Sequence, residues 1–325
     1  MAKLIPVLAS LDYFRLYASD GHCAFTDLIR FDGIWFCAFR EGRTHMSYDG
    51  RIRIMSSVDG SNWSVRWTLS WVGGDLRDPH FVVNAQGQLV LNAGIRLAVR
   101  VQPRCSFFSA GWRFDSSQQI WLAPVVDRSA ACRWRWMPHR HGDFVYTVAY
   151  TGQANQGVLA RSADGLHWQD WVTPFFPAQR LYFNEATLAS RHNLLVCLLR
   201  CDQKGGCSAM LGTAKPPFDD WYWQTLHQAI GGPKLITLSD GTLIAVYRVI
   251  DYEHELVRLE VAEVDPDRAA LIPLGSLPAE GDCSYAGMVE YDRVLWISYY
   301  STPQDDAGLA NSQIYLARVP LEYSS

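Results

Sequence analysis

Residues 25–40 read FTDLIRFDGIWFCAFR, two runs rich in Ile, Leu, Phe and Trp on either side of Gly33. Two such runs around a turn residue are typical of a β-hairpin. The arrangement recurs at residues 79–96, 137–150, 186–200, 233–248 and 286–300. The residues at the six hairpin tips are Gly33, Gly87, Gly142, Asn193, Gly241 and Asp292, which are 54, 55, 51, 48 and 51 positions apart. The chain therefore contains an internal repeat of about 52 residues.

A third β run follows most of the hairpins. These runs are residues 52–57, 158–162, 210–214, 256–262 and 314–319, with 99–108 as the candidate in the second unit. A four-stranded unit of this length has the size of a propeller blade. The sequence predicts an all-β fold, a six-bladed β-propeller of four-stranded antiparallel blades in one domain covering residues 1–325. The expected blades are 22–74, 75–130, 131–179, 180–229, 230–280 and 281–321. Two separate β-sandwiches would not explain one period across the whole chain.

The last unit supplies only three strands before the chain stops at Ser325. One β-like segment, residues 5–17, precedes the first hairpin and has no partner there. We expect this segment to complete the last blade, because closing the ring leaves no exposed sheet edge at the seam.

Composition excludes several classes of protein. Of the 325 residues 49% are hydrophobic and 19% are charged, which disfavours disorder. A net charge of −4 disfavours a non-specific nucleic-acid binder, and no apolar run reaches the length of a membrane span. The aromatic load of 13 Trp, 15 Tyr and 14 Phe favours β structure.

The N-terminal sequence MAKLIPVLAS does not resemble a signal peptide, so a cytoplasmic location is expected. None of the eight cysteines forms a CxxC pair, and we expect them to be mostly buried thiols. No Cys or His spacing fits a zinc site, so no metal is expected. No cofactor is expected either. The sequence does not indicate an oligomeric state.

Polar side chains gather where the first strand of each hairpin begins and the second ends, which is one face of a propeller. Four of the six second strands end in arginine, namely Arg40, Arg96, Arg200 and Arg248. Because arginine binds carboxylates in a bidentate manner, this pattern indicates an anion site at one mouth of the channel. The alternative is that each arginine is a solvated strand end or half of an inter-blade salt bridge.

Two turns share one pattern, SVDGSNW at residues 57–63 and SADGLHW at residues 162–168. Serine and aspartate can hydrogen-bond the local backbone, and glycine adopts a positive φ. The pattern resembles the Asp-box of sialidases and related propeller glycosidases, with one residue fewer before the tryptophan. In that family the motif is structural and lies away from the active site.

Further segments are similar to those of the sialidase superfamily. LRDPHFVV, at residues 76–83, resembles the F-R-I-P strand, whose arginine binds the substrate carboxylate. The strand pairs ending in Arg200 and Arg248 resemble those carrying the other two arginines, and Glu185 lies in the first of them. SYAGM, at residues 284–288, resembles the strand of the nucleophilic tyrosine. The resemblance implies Tyr285 as the nucleophile, Glu185 as its base and three arginines as the carboxylate site.

The order of motifs departs from that family, since Arg77 follows the first Asp-box-like turn instead of preceding it. The arginine triad is therefore Arg77, Arg200 and Arg248, or Arg40 replaces one member. Residues 39–45 resemble a segment of uncharacterised bacterial sialidase-like propellers. They make Glu41 and His45 candidates for substrate binding, together with His80.

The acid/base residue has three candidates, Asp78, Glu41 and Asp27. Asp78 is preferred, but it adjoins Arg77 in one strand, so both face the channel only if the strand start is bent.

We expect a retaining exo-glycosidase that removes a terminal acidic sugar of the sialic-acid type, with an anionic sugar or glycan as its partner. Two alternatives stay open: a propeller that binds carbohydrate or protein without catalysis, and a propeller enzyme of another glycan reaction such as inverting hydrolysis or a lyase reaction.

Overall fold

The computed structural model describes residues 3–99, 106–127, 132–150, 157–178, 181–202, 207–251, 256–304 and 311–324. Within these ranges the chain forms six antiparallel sheets. The innermost strand of each sheet contacts the innermost strands of both neighbouring sheets, so the six sheets form a closed ring. The predicted all-β, six-bladed propeller is confirmed.

The strands are numbered in chain order. The chain begins with β1 (Leu4–Pro6), a 3₁₀ turn (Leu8–Ser10) and β2 (Asp12–Tyr17). Blade I contains β3 (His22–Phe31), β4 (Ile34–Gly42), β5 (Arg51–Ser57) and β6 (Ser64–Leu69). Blade II contains β7 (Gly74–Val83), β8 (Leu89–Leu97), β9 (Phe107–Asp115), β10 (Ile120–Trp121) and β11 (Val125–Val126). Blade III contains β12 (Trp134–His141), β13 (Phe144–Tyr150), β14 (Gly157–Ser162) and β15 (Gln169–Val172).

Blade IV contains β16 (Tyr182–Arg191), β17 (Leu194–Asp202), β18 (Met210–Ala214) and β19 (Tyr222–Thr225). Blade V contains β20 (Ile230–Thr237), β21 (Leu243–Asp251), β22 (Leu256–Asp265) and β23 (Ala270–Leu277). Blade VI contains β24 (Ser284–Tyr291), β25 (Val294–Ser301) and β26 (Gln313–Tyr323).

The N-terminal segment closes the ring as predicted, but as two strands rather than one. Both β1 and β2 pair antiparallel with β26, at residues 321–323 and 314–318 respectively. The 3₁₀ turn between them interrupts the segment that the sequence predicted as continuous over 5–17. One long strand of blade VI therefore holds both pieces of the N-terminus.

Blade II differs from the prediction. Its third strand is β9, which begins at Phe107, so the predicted run at 99–108 overlaps it by only two residues. Residues 100–105 of that run lie outside the described residues. The fourth position is filled by two short strands, β10 and β11, which both pair with β9.

Every innermost strand carries a β-bulge at the same level of the ring. The bulges cover residues 25–26, 78–79, 137–138, 184–185, 232–233 and 285–286. Four of them contain a residue with positive φ, namely Phe25 (60°), Asp78 (48°), Gly232 (52°) and Tyr285 (50°). Because a bulge breaks the alternation of side chains, it can aim a residue out of the face that the strand would dictate. The ring of bulges surrounds one mouth of the channel.

The two Asp-box-like turns have the same hydrogen bonds. In the first, Asp59 Oδ1 accepts the backbone N–H groups of Ser61 and Asn62 at 2.9 and 2.8 Å. In the second, Asp164 Oδ1 accepts those of Leu166 and His167 at 2.9 and 2.8 Å. Such turns fix the outer edge of a blade and contribute no side chain to the bulge level.

Tryptophans of these turns pack between blades. Trp168 lies in a buried cluster with Val82 and Val90 of blade II and Val145 of blade III. Trp63 packs against the cluster at the junction of blades I and VI. Part of the aromatic content is thus packing between neighbouring sheets.

The thiol prediction holds for four cysteines, the buried Cys23, Cys37, Cys197 and Cys283. It is wrong for Cys201 and Cys207, which form a disulfide, and Cys132 is also disulfide-bonded. Cys105 lies outside the described residues. In the described part of the chain, no helix has the length and apolarity needed to cross a bilayer.

Candidate active site

A short hydrogen bond joins two side chains 100 positions apart at the ring of bulges. Tyr285, in the bulge of β24, donates its hydroxyl proton to Glu185 Oε1 at 2.5 Å. The same oxygen accepts Arg200 Nη1 at 2.8 Å, and Glu185 Oε2 accepts the backbone N–H of Gly232 at 2.8 Å. One carboxylate therefore connects blades IV, V and VI.

Gly232 has a steric reason to be glycine. Its φ is +52°, and a Cβ atom there would lie 2.5 Å from Ser284 Oγ and 3.0 Å from Tyr285 Cδ2. A side chain at this bulge would displace Tyr285 or strain the backbone. The glycine leaves room for the tyrosine and turns its N–H to Glu185.

The charges around this pair act in opposite directions on its two members. Burial alone would raise the pKa of Glu185, but the Arg200 guanidinium holds that pKa below its ordinary value. Burial and the adjacent Glu185 carboxylate raise the pKa of Tyr285 well above its ordinary value, while Arg200 and Arg248 oppose that rise. The pair thus rests as a neutral tyrosine on an ionised carboxylate that can accept its proton.

Asp78 lies in the bulge of β7, which lets it and Arg77 line the same cavity. The bend that the sequence required for two adjacent channel-facing residues is present. Trp134 Nε1 donates to Asp78 Oδ2 at 3.0 Å. Burial raises the pKa of Asp78 to about 7, with Arg77 opposing the rise and Glu185 and Asp75 adding to it. A carboxyl group with this pKa can give and take a proton near neutral pH.

Three of the predicted arginines lie around the site. Arg77 donates to the backbone oxygen of His45 at 2.9 Å, and its Cζ lies 4.7 Å from the centre of the Phe25 ring. Arg200 is held by Glu185 and, through Nε, by Asp202 at 3.0 Å.

Arg248 reaches the site from blade V. Its Nη1 donates to Asp282 Oδ1 at 2.5 Å and to the backbone oxygen of Cys283 at 3.2 Å. Since Cys283 is two residues before Tyr285, these contacts hold the guanidinium beside the bulge of β24.

Arg40 lies elsewhere. Its side chain is fully buried and forms an ion pair with the equally buried Asp75 at 2.7 Å. Its Nη2 also donates to the backbone oxygens of Thr44 and Ser47, each at 3.1 Å. Of the alternatives Arg40 and Arg77, it is Arg77 that lines the cavity, and Arg40 has no surface for a ligand.

The second-strand arginines do not share one register. Arg40 and Arg248 pair with the residue just before each bulge, whereas Arg200 lies opposite the bulge itself. Arg96 lies beyond the bulge level and lines the rim of the cavity. The strand-end pattern in the sequence therefore contains arginines with different roles.

Glu41 faces another cavity, of about 560 Å³, which is lined by residues 19–21, 41–43, 49 and 51. Its carboxylate accepts hydrogen bonds from Arg51, Arg53 and Tyr17 at 2.9, 2.7 and 2.9 Å. Burial on its own would raise the pKa of Glu41, but these hydrogen bonds together lower that pKa to about 2. The structure does not bring Glu41 to Tyr285.

The remaining candidates divide between cavity and interior. His45 lines the cavity beside Arg77. His80 is buried one position beyond the bulge of β7, next to the Trp136 ring, and burial holds its pKa well below the ordinary value. Asp27 is also buried there, bound to Lys234 Nζ at 2.8 Å and to the backbone N–H of Phe81 at 2.7 Å. Neither His80 nor Asp27 lines the cavity.

The cavity has a volume of about 300 Å³ and receives residues from five blades. Apart from Tyr285, its aromatic wall was not identified from the sequence. That wall consists of Phe25, Phe107, Trp134, Trp136, Tyr150 and Tyr285. The only sequence signal was the general abundance of aromatic residues, which does not separate cavity walls from blade packing.

Solved structures share this architecture. Over 96% of this chain and 60% of the other, Trypanosoma rangeli sialidase superposes with a TM-score of 0.70 at 11% sequence identity. This chain has the fold of the sialidases. It spans about 60% of the length of that sialidase, and no family model and no curated protein matches it.

Two further structures share the propeller over nearly their whole length. A protein of unknown function from Dyadobacter fermentans matches with a TM-score of 0.81 at 16% identity, over 98% of this chain and 99% of that one. The α-L-arabinanase of Penicillium chrysogenum matches with a TM-score of 0.66 at 10% identity, over 97% and 98%. Because sialidase and arabinanase share the fold, the fold does not select the substrate.

Proposed function

We propose that this chain is a retaining exo-glycosidase that hydrolyses a terminal acidic sugar. The observation that carries the proposal is the 2.5 Å hydrogen bond from Tyr285 to Glu185 among Arg77, Arg200 and Arg248. A buried tyrosine and glutamate beside cations, open to a 300 Å³ cavity, suit chemistry on an anionic substrate.

The charge of the substrate explains the tyrosine. A carboxylate attached to the anomeric carbon repels an anionic nucleophile, whereas a neutral phenol can approach that carbon without this repulsion. As Tyr285 Oη bonds to the anomeric carbon, its proton passes to Glu185 along the existing hydrogen bond. The bond to the leaving oxygen breaks, and Asp78 gives that oxygen its proton. Water then attacks the anomeric carbon and gives a proton to Asp78. The bond from that carbon to Tyr285 Oη breaks, and Glu185 returns the proton to the tyrosine.

The arginines supply the binding energy and the charge compensation. Each guanidinium has five N–H donors, more than the contacts to Glu185, Asp202, Asp282 and Asp75 use. A substrate carboxylate placed between them gains charge-assisted hydrogen bonds from side chains that are only 10–13% exposed. The aromatic wall suits the apolar face of a sugar ring.

A panel of fluorogenic glycosides tests the proposal. We expect release of the fluorophore from an α-sialoside or another carboxylated glycoside and none from neutral glycosides, including an α-L-arabinofuranoside. Proton NMR of the first-formed sugar should show the anomer of the substrate, since two displacements retain configuration. Turnover of a neutral glycoside alone, or inversion, would contradict the proposal. Saturable binding of the acidic sugar without turnover would favour a binding module instead.

A further inference from the structure

Two histidines and an aspartate meet at the seam between blades I and VI. His22 begins β3, His45 lies in the loop after β4, and Asp282 precedes β24. His45 Nδ1 lies 3.3 Å from His22 Nε2 and 3.9 Å from Asp282 Oδ2. One ligand atom from each residue lies within 4.8 Å of the other two. The three are 23 and 237 positions apart in the chain, so no spacing rule identifies them.

We propose that His22, His45 and Asp282 form a binding site for Zn²⁺. Metal–nitrogen bonds of about 2.0–2.1 Å in a tetrahedron separate the ligand atoms by about 3.3 Å. The His22–His45 separation has this value. Asp282 Oδ2 lies 3.9 Å from His45 Nδ1 and the three ligand atoms lie within 4.8 Å of one another, so the carboxylate must move inward by about 0.5–1.5 Å to complete the site. Its side chain is 40% exposed and that of His45 is 45% exposed, so both can adjust. Two imidazoles and one carboxylate are donors that zinc accepts, and they leave a fourth position open.

The neighbouring cations are compatible with this geometry. Arg248 occupies Oδ1 of Asp282, while Oδ2 faces His45, so the two oxygens can serve different cations. Arg77 Nη2 lies 3.5 Å from His45 Nε2, a long contact that a metal-bound imidazole with its proton on Nε2 would give up. One carboxylate does not neutralise a divalent ion beside two guanidiniums, so the open position should take an anion or hydroxide.

An ion at this site would fasten the loop after β4 to blade VI. The loop provides the His45 oxygen that Arg77 binds, so the ion would also fix one wall of the cavity. The inference does not require the proposed glycosidase activity, because it concerns binding of the metal alone.

The test uses the full chain after treatment with a chelator. Calorimetry should show one Zn²⁺ per chain, and Co²⁺ should give the intense visible bands of tetrahedral coordination. Zn²⁺ should raise the thermal midpoint, and Mg²⁺, which prefers oxygen ligands, should not.

Two variants and a matched control decide the assignment. His45→Asn and Asp282→Asn should each weaken Zn²⁺ binding by at least about tenfold, since even indirect partners of a metal change affinity 10–100-fold. His227→Asn is the control, because His227 is exposed, distant in sequence and has a positive φ that asparagine tolerates. The proposal is wrong if the unaltered chain binds no stoichiometric Zn²⁺, or if both variants bind it as tightly as the control. Neither result bears on glycoside hydrolysis.

Discussion

Two buried tyrosine–glutamate hydrogen bonds among the described residues differ in their surroundings. In blade V, Tyr247 donates to Glu260 at 2.8 Å, and the two residues face each other on β21 and β22. At the ring of bulges, Tyr285 donates to Glu185 of another blade. Each glutamate also accepts an arginine, Arg258 at 3.0 Å in the first case and Arg200 at 2.8 Å in the second.

The two pairs have the same kind of hydrogen bond. They differ in their access to a cavity and in the positive charges around the tyrosine. Tyr285 lines a cavity with Asp78 and Arg77, whereas Tyr247 is fully buried in the core between blades IV and V. Burial raises the pKa of both tyrosines, but only at Tyr285 do two arginines oppose that rise. Under the proposed function, the same pair of side chains is structural in one place and transfers a proton in the other.

Replacing each tyrosine by phenylalanine gives the largest expected contrast. Tyr285→Phe should lower kcat/KM on an acidic glycoside by at least about 10³-fold, because the nucleophile is lost. Tyr247→Phe should leave kcat/KM unchanged and lower the free energy of unfolding by about 1 kcal/mol, the usual net worth of a hydrogen bond. Steady-state kinetics and urea unfolding measure the two effects. Full activity of the Tyr285 variant would show that Tyr285 is not the nucleophile and that both pairs are structural.

Asp78→Asn should have the next largest effect, about 10²-fold on glycosides with poor leaving groups and less on activated aryl glycosides. Because Asp78 must carry a proton and its pKa is raised to about 7, kcat/KM of the unaltered chain should fall above about pH 7. The variant should lack that fall in its pH profile. A profile with the same fall in the variant would assign the titration to another group.

The same group gives a stability signature. The folded chain keeps the Asp78 proton up to about pH 7, while an unfolded aspartate loses it near pH 4. Stability therefore falls as the pH rises between these values, and the asparagine variant should lose that part of the fall.

The smallest expected difference is between variants of the two arginines that bind these glutamates, Arg200 and Arg258. Arg200→Lys should raise KM about tenfold, since one lysine cannot bind Glu185, Asp202 and a substrate carboxylate in a fork. Arg258→Lys should change neither KM nor kcat, as Arg258 is half-exposed on blade V. An equal effect of both changes on KM would show that the arginines act through the fold and not through the substrate.

The fold was predictable because its signal is local and repeated. Each hairpin, such as the one around Gly33, shows its apolar runs and its turn within about 16 residues, and six copies specify a ring. In blade II the third strand begins at Phe107, late in the predicted run at 99–108, because an apolar segment does not by itself fix where a strand begins.

The site was predictable only in part, because its contacts join distant positions. Glu185 and Tyr285 were singled out by resemblance, not by spacing, since 100 residues separate them. Arg40 and Arg248 have the same place in their strands, and only the buried Asp75 distinguishes the first. Nothing near His22 in the sequence indicates that Asp282 lies beside it.

The ring of bulges also bears on how such a propeller can change. A bulge residue pairs with no partner in the ladder, so exchanging its side chain leaves the neighbouring strand register intact. Phe25, Asp78, Glu185 and Tyr285 occupy such positions in four blades. New chemistry can therefore arise here by single substitutions at little architectural risk, provided that the residue tolerates the local backbone. The residues at the bulges can therefore change while the six-bladed scaffold stays the same.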